Sequence, residues 1–492
     1  MSVRVRYAPS PTGRQHIGGV RTALFNYFYA KSMGGSFVLR IEDTDQTRYT
    51  DEAVQDLYDT FDWLGIAWDE GPDKGGPHGP YIQTQRKELY NKYAALLVEK
   101  DKAYRCYCSP ERLESLRESM EGGKTAGGYD RHCRELTTAK ENEYRDRGIT
   151  PVIRYKVPLD GKTSYKDIIR GEVTTRNRDI PADPVILKSD GLPTYHFAVV
   201  IDDHLMKITH AFRAQEWLPN APLHMLLYRA FGWEPPEFCH LPLILGKDGQ
   251  KLAKRHGSAA VADFKSAGFT PEAIINYVSL LGWSYDDQRE FFSKEELEQL
   301  FSIEKLNKAP AVFDYKKLEW FNGQYIRKKP DSELKGLLIP YLKRDGVVSD
   351  PITETENAIV DGMIPLIKER LRLLPEVTKL VRFLFEDVEI ESIEMLVPKR
   401  LDAMQTLDAL RSAHAILGDF ISRSDEENEQ LFRSASETLG IKLGDLLMPV
   451  RVAVTGTSAS PPLFGSVKLL GAKKTMSRMD HAIKMLESAK SD

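Results

Sequence analysis

The sequence predicts an α/β protein that is built on a parallel sheet, interrupted by an insertion and followed by a separate all-helical module. Three observations lead to this prediction. The first hundred residues alternate between strand-like and helix-like patterns, a cysteine-containing and glycine-rich segment breaks this alternation after about residue 104, and leucine-rich stretches of helical period fill the chain beyond about residue 330. At 492 residues the chain is too long for a single core, and roughly three to four domains are expected.

The opening segment has the βαβα order that is typical of a parallel sheet. The stretches "VRVRYA" and "FVLRIED" predict two strands, and apolar residues recur at helical spacing over residues 20–28 and 54–64. The run "FAVVIDDHLM", near residue 200, predicts a further strand that resumes the α/β pattern. A helical segment rich in apolar residues follows from Pro222 to Phe231.

The composition is that of an ordinary globular protein, with 41% hydrophobic and 28% charged residues. No apolar run reaches the ~18 residues of a membrane helix, and the first residues lack the apolar core of a signal peptide, so we expect a cytoplasmic protein without a membrane partner. The net charge of −4 neither favours nor excludes nucleic acid, because local basic clusters matter more than the sum. Such clusters occur at 305–317, 325–330, 368–372 and 468–478.

The stretch "APSPTGRQHIGG" connects the first predicted strand to the first predicted helix. Gly18 and Gly19 at such a turn allow phosphates to approach the backbone, and the free amides of the helix start carry partial positive charge. His16 adds an imidazole that suits phosphates whose charge grows during a reaction. A tight turn with a surface histidine is the alternative interpretation.

A second glycine-bounded loop, "GKDGQKLAKRHG", carries Lys251 and Lys254. Cations in a single loop usually form only a solvated surface. Together with the upstream glycine-histidine turn, however, they predict the second half of a site for nucleotide phosphates, because a leaving pyrophosphate needs cations to hold it.

Both motifs resemble the HIGH and KMSKS signatures of class I aminoacyl-tRNA synthetases. Longer stretches resemble the bacterial-type glutamyl-tRNA synthetases, and the resemblance covers essentially the whole chain: "LFNYFYAKSMGGSFVLRIEDTDQTR", "DEGPDKGGPHGPYIQTQR", "DGLPTYHFAVVIDDHLM" and "LEWFNGQYIR". Two positions depart from the signatures, since Gly19 replaces the second histidine and Ala253 replaces the loop serine. The first change is usual in this family, and the second leaves both lysines in place.

The resemblance implies a domain order and a reaction. It implies a Rossmann-like catalytic domain (1–103 and 190–240), an inserted acceptor-stem-binding domain (104–189), a stem-contact domain that carries the KMSKS-like loop (241–328) and a helical anticodon-binding domain (329–492). The implied reaction is the attachment of glutamate to tRNA(Glu), with ATP and Mg²⁺, through glutamyl-adenylate and transfer to the 3′-terminal adenosine. A monomer is expected.

A glutamate pocket also follows from elementary chemistry. A guanidinium binds a side-chain carboxylate best, and a carboxylate binds an α-ammonium group. Arg6 lies on the first strand and Glu42 follows the second, at the strand ends where parallel sheets bind ligands. The alternative is an ordinary surface ion pair.

The resemblance extends these assignments residue by residue. It implies glutamate-binding roles for Arg6, Ala8, Ser10, Glu42, Tyr195 and Arg213, catalytic roles for His16, Gly18, Lys251 and Lys254, and ATP contacts for His16, Gly18, Gly19, Trp217 and Lys254. A plain core tryptophan remains the alternative for Trp217. Arg370 is expected to contact the tRNA anticodon.

Two other functions are compatible with parts of the sequence. A small-molecule nucleotidyltransferase shares the HIGH-type turn, but it does not need the arginine pair or a large helical appendage. A tRNA-binding paralogue without catalytic activity is the second alternative, and the retained His16, Lys251 and Lys254 speak against it.

Three of the four cysteines, Cys106, Cys108 and Cys133, fall within 28 residues around a glycine-rich loop. Their spacing leaves two interpretations open, a zinc site or three unrelated cysteines. His132 is a possible fourth ligand on chemical grounds. The resemblance instead implies a structural Zn²⁺ held by Cys106, Cys108, Tyr129 and Cys133.

Overall fold

A computed structural model of the chain describes residues 2–120, 128–253, 257 and 259–488. The chain forms two compact units, one of residues 1–266 and 271–315 and the other of residues 267–270 and 316–492. Within the described ranges, no helix is long and apolar enough to cross a membrane. The finer division into four domains stays a prediction.

The predicted βαβα opening is confirmed. Strand β1 (Arg4–Tyr7) pairs in parallel with β2 (Ser36–Leu39), and the two are connected by α1 (Ile17–Ser32). Helix α2 (Asp51–Trp63) follows, and its N-terminus is capped by the Thr50 side chain, which accepts a hydrogen bond from the amide of Ala53. Helix α1 is buried along most of its length because it packs against the sheet.

A second group of strands continues the sheet. In this group β8 (His210–Ala214) and β5 (Lys162–Asp167) both run parallel to the strand between them, β9 (Glu237–Leu241), while β6 (Gly171–Arg176) is antiparallel to β5. The amide of Thr209 donates to the carbonyl of Arg4 at 2.9 Å, which connects β1 to the start of β8. The parallel, Rossmann-like sheet predicted from the sequence is therefore present.

One predicted strand is wrong. The run "FAVVIDDHLM" lies almost wholly in helix α6 (Tyr195–Leu205), where residues 197–203 are all buried. A helix that is buried on every side loses the periodic alternation of polar and apolar residues, so a short apolar run of this kind cannot be distinguished from a buried strand. The β-branched residues Val199, Val200 and Ile201 added to the strand-like pattern.

The inserted segment forms its own small antiparallel sheet, in the order β3 (Ala103–Cys106), β4 (Val152–Tyr155) and β7 (Val185–Leu187). Two helices accompany it, α4 (Pro110–Met120) and α5 (Thr138–Asp146). The remaining elements of the first unit are α3 (Lys87–Glu99), α7 (Ala221–Phe231), the parallel pair β10 (Ile244–Leu245) and β11 (Ala311–Val312), α8 (Val261–Ser266), α9 (Pro271–Ser279) and α10 (Lys294–Leu300).

Helices are the regular secondary structure of the second unit in its described residues, as predicted. Its helices are α11 (Tyr315–Lys328), α12 (Asp331–Arg344), α13 (Glu354–Ile367), α14 (Glu376–Phe385), α15 (Ala403–Leu417), α16 (Asp425–Thr438), α17 (Leu443–Thr455), α18 (Leu463–Leu470) and α19 (Ala472–Ser488). The apolar stripes face inward; in α12, for example, Leu334, Leu338 and Leu342 lie one turn apart and are fully buried.

Candidate active site

A cavity of about 1410 Å³ lies at the carboxyl ends of β1 and β8 in the first unit. Ala8 follows β1 and Ala214 ends β8, and both line the cavity, as expected for a ligand site of a parallel sheet. The structure brings most of the predicted site residues together around it: Arg6, Ala8, Ser10, His16, Gly18, Gly19, Glu42, Tyr195, Arg213, Trp217 and Lys251.

The glycine-histidine turn forms the start of α1. His16 is the N-cap residue, and its Nδ1 accepts a hydrogen bond from the amide of Gly19 at 3.2 Å. Both glycines lie close to side chains: a Cβ on Gly18 would lie 3.0 Å from Cε1 of His16, and a Cβ on Gly19 would lie 2.8 Å from the Tyr7 hydroxyl, so either would displace its neighbour. Burial, and then the charge of Lys251, lower the pKa of His16. The turn therefore presents a neutral imidazole beside the positive end of a helix.

The cationic loop returns to this turn. The amide of Ile17 donates to the carbonyl of Ala259, and the amide of Val261 donates to the carbonyl of Gln15, each at 2.9 Å. Lys251 lines the cavity and pairs with the carboxylate of Glu216. The two predicted phosphate-binding motifs thus meet at one site, although Lys254 lies outside the described residues.

A buried ion-pair cluster lies behind one wall of the cavity, to which Arg6 and Glu42 contribute their side chains. Arg6 Nε lies 3.0 Å from Oδ1 of Asp203, and Arg40 Nη1 lies 2.8 Å from the same oxygen. Arg40 Nη2 also donates to Oε1 of Glu42 at 2.8 Å. Burial raises the pKa of Glu42, and the charge of Arg40 opposes this rise. The positive and negative charges within the cluster balance one another, as buried ions require.

Sequence reasoning missed Arg40 and Asp203. A signal for them existed, since adjacent Asp202 and Asp203 interrupt the apolar run of α6, and acids in such a run are buried only when they are paired. Their partners could not be identified without the fold, because Asp203 is separated from Arg40 by 163 residues.

Arg213 is a second buried arginine beside the cavity. It projects from β8, and its hydrogen-bond partners are two histidines that sequence reasoning also missed, His224 and His240. Tyr195, the first residue of α6, lies nearby, with its ring centre 4.3 Å from that of Trp217. Trp217 is half-buried at the cavity and not in a core.

The cysteine cluster lies in the insertion, at the end of β3. The three Sγ atoms of Cys106, Cys108 and Cys133 all lie within 4.8 Å of one another. The Tyr129 hydroxyl lies 3.3 Å from Sγ of Cys106 and 3.6 Å from Sγ of Cys108. A hydrogen bond from the Cys133 thiol lowers the pKa of Cys106, which favours a thiolate. The group that the structure describes contains no ligand atom of His132, which is exposed.

In the second unit, Arg370 lies on the turn that follows α13, and its side chain is exposed. It is close enough to Arg451 of α17 to affect that residue: burial lowers the pKa of Arg451, and the charge of Arg370 lowers it further. The two cations are thus neighbours, although only Arg370 is exposed; Arg451 is half-buried and donates to the carbonyls of Ser460 and Pro461.

Comparisons with known proteins were made over the whole chain. The family described as "tRNA synthetases class I (E and Q), catalytic domain" matches residues 2–320, and an anticodon binding domain family matches residues 333–483. The glutamate–tRNA ligase of Borreliella burgdorferi is 54% identical over 99% of both chains, and that of Treponema denticola is 52% identical over 98% of this chain and 99% of its own. A crystal structure of a glutamate tRNA ligase from Elizabethkingia meningosepticum in complex with its amino acid is similar, with 34% identity, a TM-score of 0.87, and coverage of 99% of this chain and 100% of that one.

Proposed function

The chain belongs to the class I tRNA synthetases for glutamate and glutamine, and from this membership we propose that it attaches glutamate to tRNA(Glu) in two ATP-dependent steps. The observation that carries the proposal is the single cavity in which Arg6, Glu42 and Arg213 meet the glycine-histidine turn and Lys251. The names of the relatives support glutamate as the amino acid, and the matches extend through the helical unit.

In the first step the α-carboxylate of glutamate attacks the α-phosphorus of ATP, which forms glutamyl-adenylate and releases pyrophosphate. Glu42 holds the α-ammonium group. Arg40 donates both of its hydrogen bonds to Oε1 of Glu42. Oε2 of Glu42 makes no hydrogen bond within the described part of the chain and can accept one from the α-ammonium group of the substrate. Arg6, Tyr195 and Arg213 bind the γ-carboxylate, and Ala8 and Ser10 complete the pocket.

ATP lies against the glycine-histidine turn. Gly18 and Gly19 admit the phosphates to the helix start, His16 donates to a phosphate oxygen from its second ring nitrogen, and the adenosine contacts Trp217. Lys251 and Lys254 stabilise the charge that develops on the leaving pyrophosphate. A Mg²⁺ ion bound to ATP would neutralise part of the same charge. No side-chain nucleophile is needed, since catalysis rests on positioning and on charge stabilisation.

In the second step a ribose hydroxyl of the terminal tRNA adenosine attacks the activated carbonyl and displaces AMP. The inserted domain (104–189) holds the acceptor end, residues 241–328 contact the stem, and the helical domain (329–492) holds the anticodon, which Arg370 contacts together with Arg451. The enzyme acts as a cytoplasmic monomer.

The insertion holds a structural Zn²⁺ through Cys106, Cys108, Cys133 and Tyr129. Three soft thiols and one phenol oxygen around a common centre form a donor set that fits this ion. The ion would pin the inserted domain and take no part in the chemistry. Elemental analysis of protein purified without chelator should find about one zinc per chain, and the C106S/C108S variant should lose it. A metal-free protein that is fully stable and active would contradict the assignment.

Pyrophosphate exchange and aminoacylation, measured with glutamate, test the main proposal. The enzyme should charge purified tRNA(Glu), and its exchange activity should require tRNA. A nucleotidyltransferase would act without tRNA, and an inactive paralogue would bind tRNA but charge none; either result would overturn the proposal. A parallel assay with tRNA(Gln) shows whether the enzyme charges one tRNA or two.

A further inference from the structure

Arg213 is held by imidazoles and not by a carboxylate. Its Nε donates to Nε2 of His240 and its Nη1 donates to Nδ1 of His224, each at 3.0 Å. The guanidinium also lies over the ring of Phe238, 4.7 Å from its centre. Within the part of the chain that the structure describes, Arg213 forms no ion pair, and its buried Nη2 makes no hydrogen bond. Apart from the Tyr195 hydroxyl, which also interacts with the guanidinium, this side of the cation is available to a ligand.

These contacts determine the tautomers of the histidines. Because arginine can only donate, Nε2 of His240 carries no proton, and its Nδ1 donates to Oδ2 of Asp167 at 2.6 Å. In the same way Nδ1 of His224 accepts from Arg213, so its Nε2 donates to Nδ1 of His196 at 3.0 Å. All three imidazoles are neutral in this network. Burial lowers the pKa of each of them, in agreement with this assignment.

The neighbouring charges already balance. Arg6 and Arg40 are matched by Asp203 and Glu42, with which they form the ion pairs of the cavity wall. Among these charged groups Arg213 alone has no counterion in direct contact. The buried carboxylate of Asp167 reaches Arg213 only through His240, so the cation itself can pair directly with the γ-carboxylate of glutamate, whereas the side chain of glutamine carries no charge to match it.

We propose that His224 and His240 are positioning residues that set the preference for an anionic amino-acid side chain, because they hold Arg213 through neutral acceptors and leave its charge for the substrate. Asp167 supports them by fixing the tautomer of His240. This inference rests on the proposed function and deepens it. A carboxylate in place of either imidazole would hold Arg213 equally well, but it would also neutralise it.

The inference predicts that the charge of the residue at position 224 controls selectivity. In H224E the carboxylate should pair with Arg213, and the ratio of kcat/KM for glutamate to kcat/KM for glutamine should fall at least about tenfold, chiefly through a higher KM for glutamate. The KM for ATP should change by less than about twofold, because ATP lies against the other motif. H224Q restores a neutral acceptor of similar size and should recover most of the selectivity that H224E loses.

Variants at position 240 provide an independent pair, in case H224E does not fold. H240L removes the acceptor for Nε of Arg213 and should raise the KM for glutamate, whereas H240Q retains an acceptor and should raise it less. Folding is checked by circular dichroism and thermal unfolding of the full chain. The inference is overturned if H224E or H240L keeps the wild-type ratio, or if glutamate and ATP kinetics decline together, as a merely structural role requires. A wild-type enzyme that charges neither amino acid would instead refute the proposed function.

Discussion

The substitution Arg213→Gln tests the charge of the amino-acid pocket directly. The variant removes the guanidinium that faces the cavity but keeps an uncharged side chain of moderate size. Only 5% of Arg213 is exposed, so a carboxylate that binds it is largely shielded from water. We therefore expect a large loss in glutamate use and a smaller change in glutamine use.

The magnitude follows from the burial. Removing one partner of a buried, hydrogen-bonded charge pair costs about 2–4 kcal/mol. At about 1.4 kcal/mol per tenfold change, kcat/KM for glutamate should fall about 30- to 700-fold. The variant also leaves His240 and His224 short of donors, since one amide cannot replace two guanidinium nitrogens. A loss of about 1–3 kcal/mol in the free energy of unfolding should accompany the kinetic effect.

The assay is steady-state aminoacylation with saturating ATP and tRNA, in which glutamate or glutamine is varied. Arg478→Gln is the matched control, because Arg478 is also a buried arginine but lies in the helical unit, where it donates to the carbonyls of Val454, Phe383 and Glu386. The control should lose stability and keep its glutamate kinetics. A change of less than about threefold in kcat/KM for glutamate in R213Q would show that Arg213 does not bind the amino acid.

Three further predictions follow from particular contacts. Gly18→Ala would place a Cβ 3.0 Å from Cε1 of His16 and displace the imidazole. Adenylate formation, measured by pyrophosphate exchange, should therefore slow at least about tenfold. An unchanged exchange rate would show that the position of the His16 ring is unimportant for this step. Gly336 lies on the exposed face of α12, where a Cβ would meet no described atom within 4 Å. Gly336→Ala should therefore raise the free energy of unfolding by about 0.5–1 kcal/mol and leave the activity unchanged. A lower free energy of unfolding would contradict the helical packing at this position. Burial, and then the charge of Arg213, lower the pKa of His196 to about 4, so between about pH 6.5 and 4 the unfolded chain binds a proton that the folded chain does not. The free energy of unfolding should therefore fall as the pH is lowered through this range. In denaturant titrations H196Q should show a shallower fall, and an identical dependence on pH would exclude His196 as its source.

The sequence predicted the elements whose pattern is local. The βαβα opening and the helical second unit were evident from alternation and helical spacing, and the glycines marked the two loops that meet at the cavity. Helix α6 was not, because it is buried on all sides and shows no period. The spacing of the cysteines of the insertion grouped them but left the fourth member open; the family resemblance named Tyr129, and in the structure its hydroxyl lies 3.3 Å from Sγ of Cys106.

The charged groups of the pocket show the limit more clearly. Arg6 and Glu42 could be assigned, since they lie at the ends of adjacent strands. Several partners of the buried charges come from distant segments: Asp203 is 197 residues from Arg6, and Asp167 is 73 residues from His240, which holds Arg213. Each of these residues is ambiguous by itself, and its role depends on which buried group lies opposite. Only the folded chain supplies that information.

The burial of the ion pairs also separates the fixed part of the site from the exchangeable part. The Arg40 side chain is fully buried and that of Asp203 is 3% exposed. Removing either partner of such a pair costs about 3–5 kcal/mol, so this cluster is a fixed part of the site. The side chains of Lys251 and Glu216 are 57% and 48% exposed, and a pair of this kind contributes only about 0–1 kcal/mol. Lys251 can therefore leave Glu216 for a phosphate at little cost. In the proposed mechanism the amino acid would therefore meet a preformed charge pattern, while Lys251 would exchange Glu216 for a phosphate when ATP arrives.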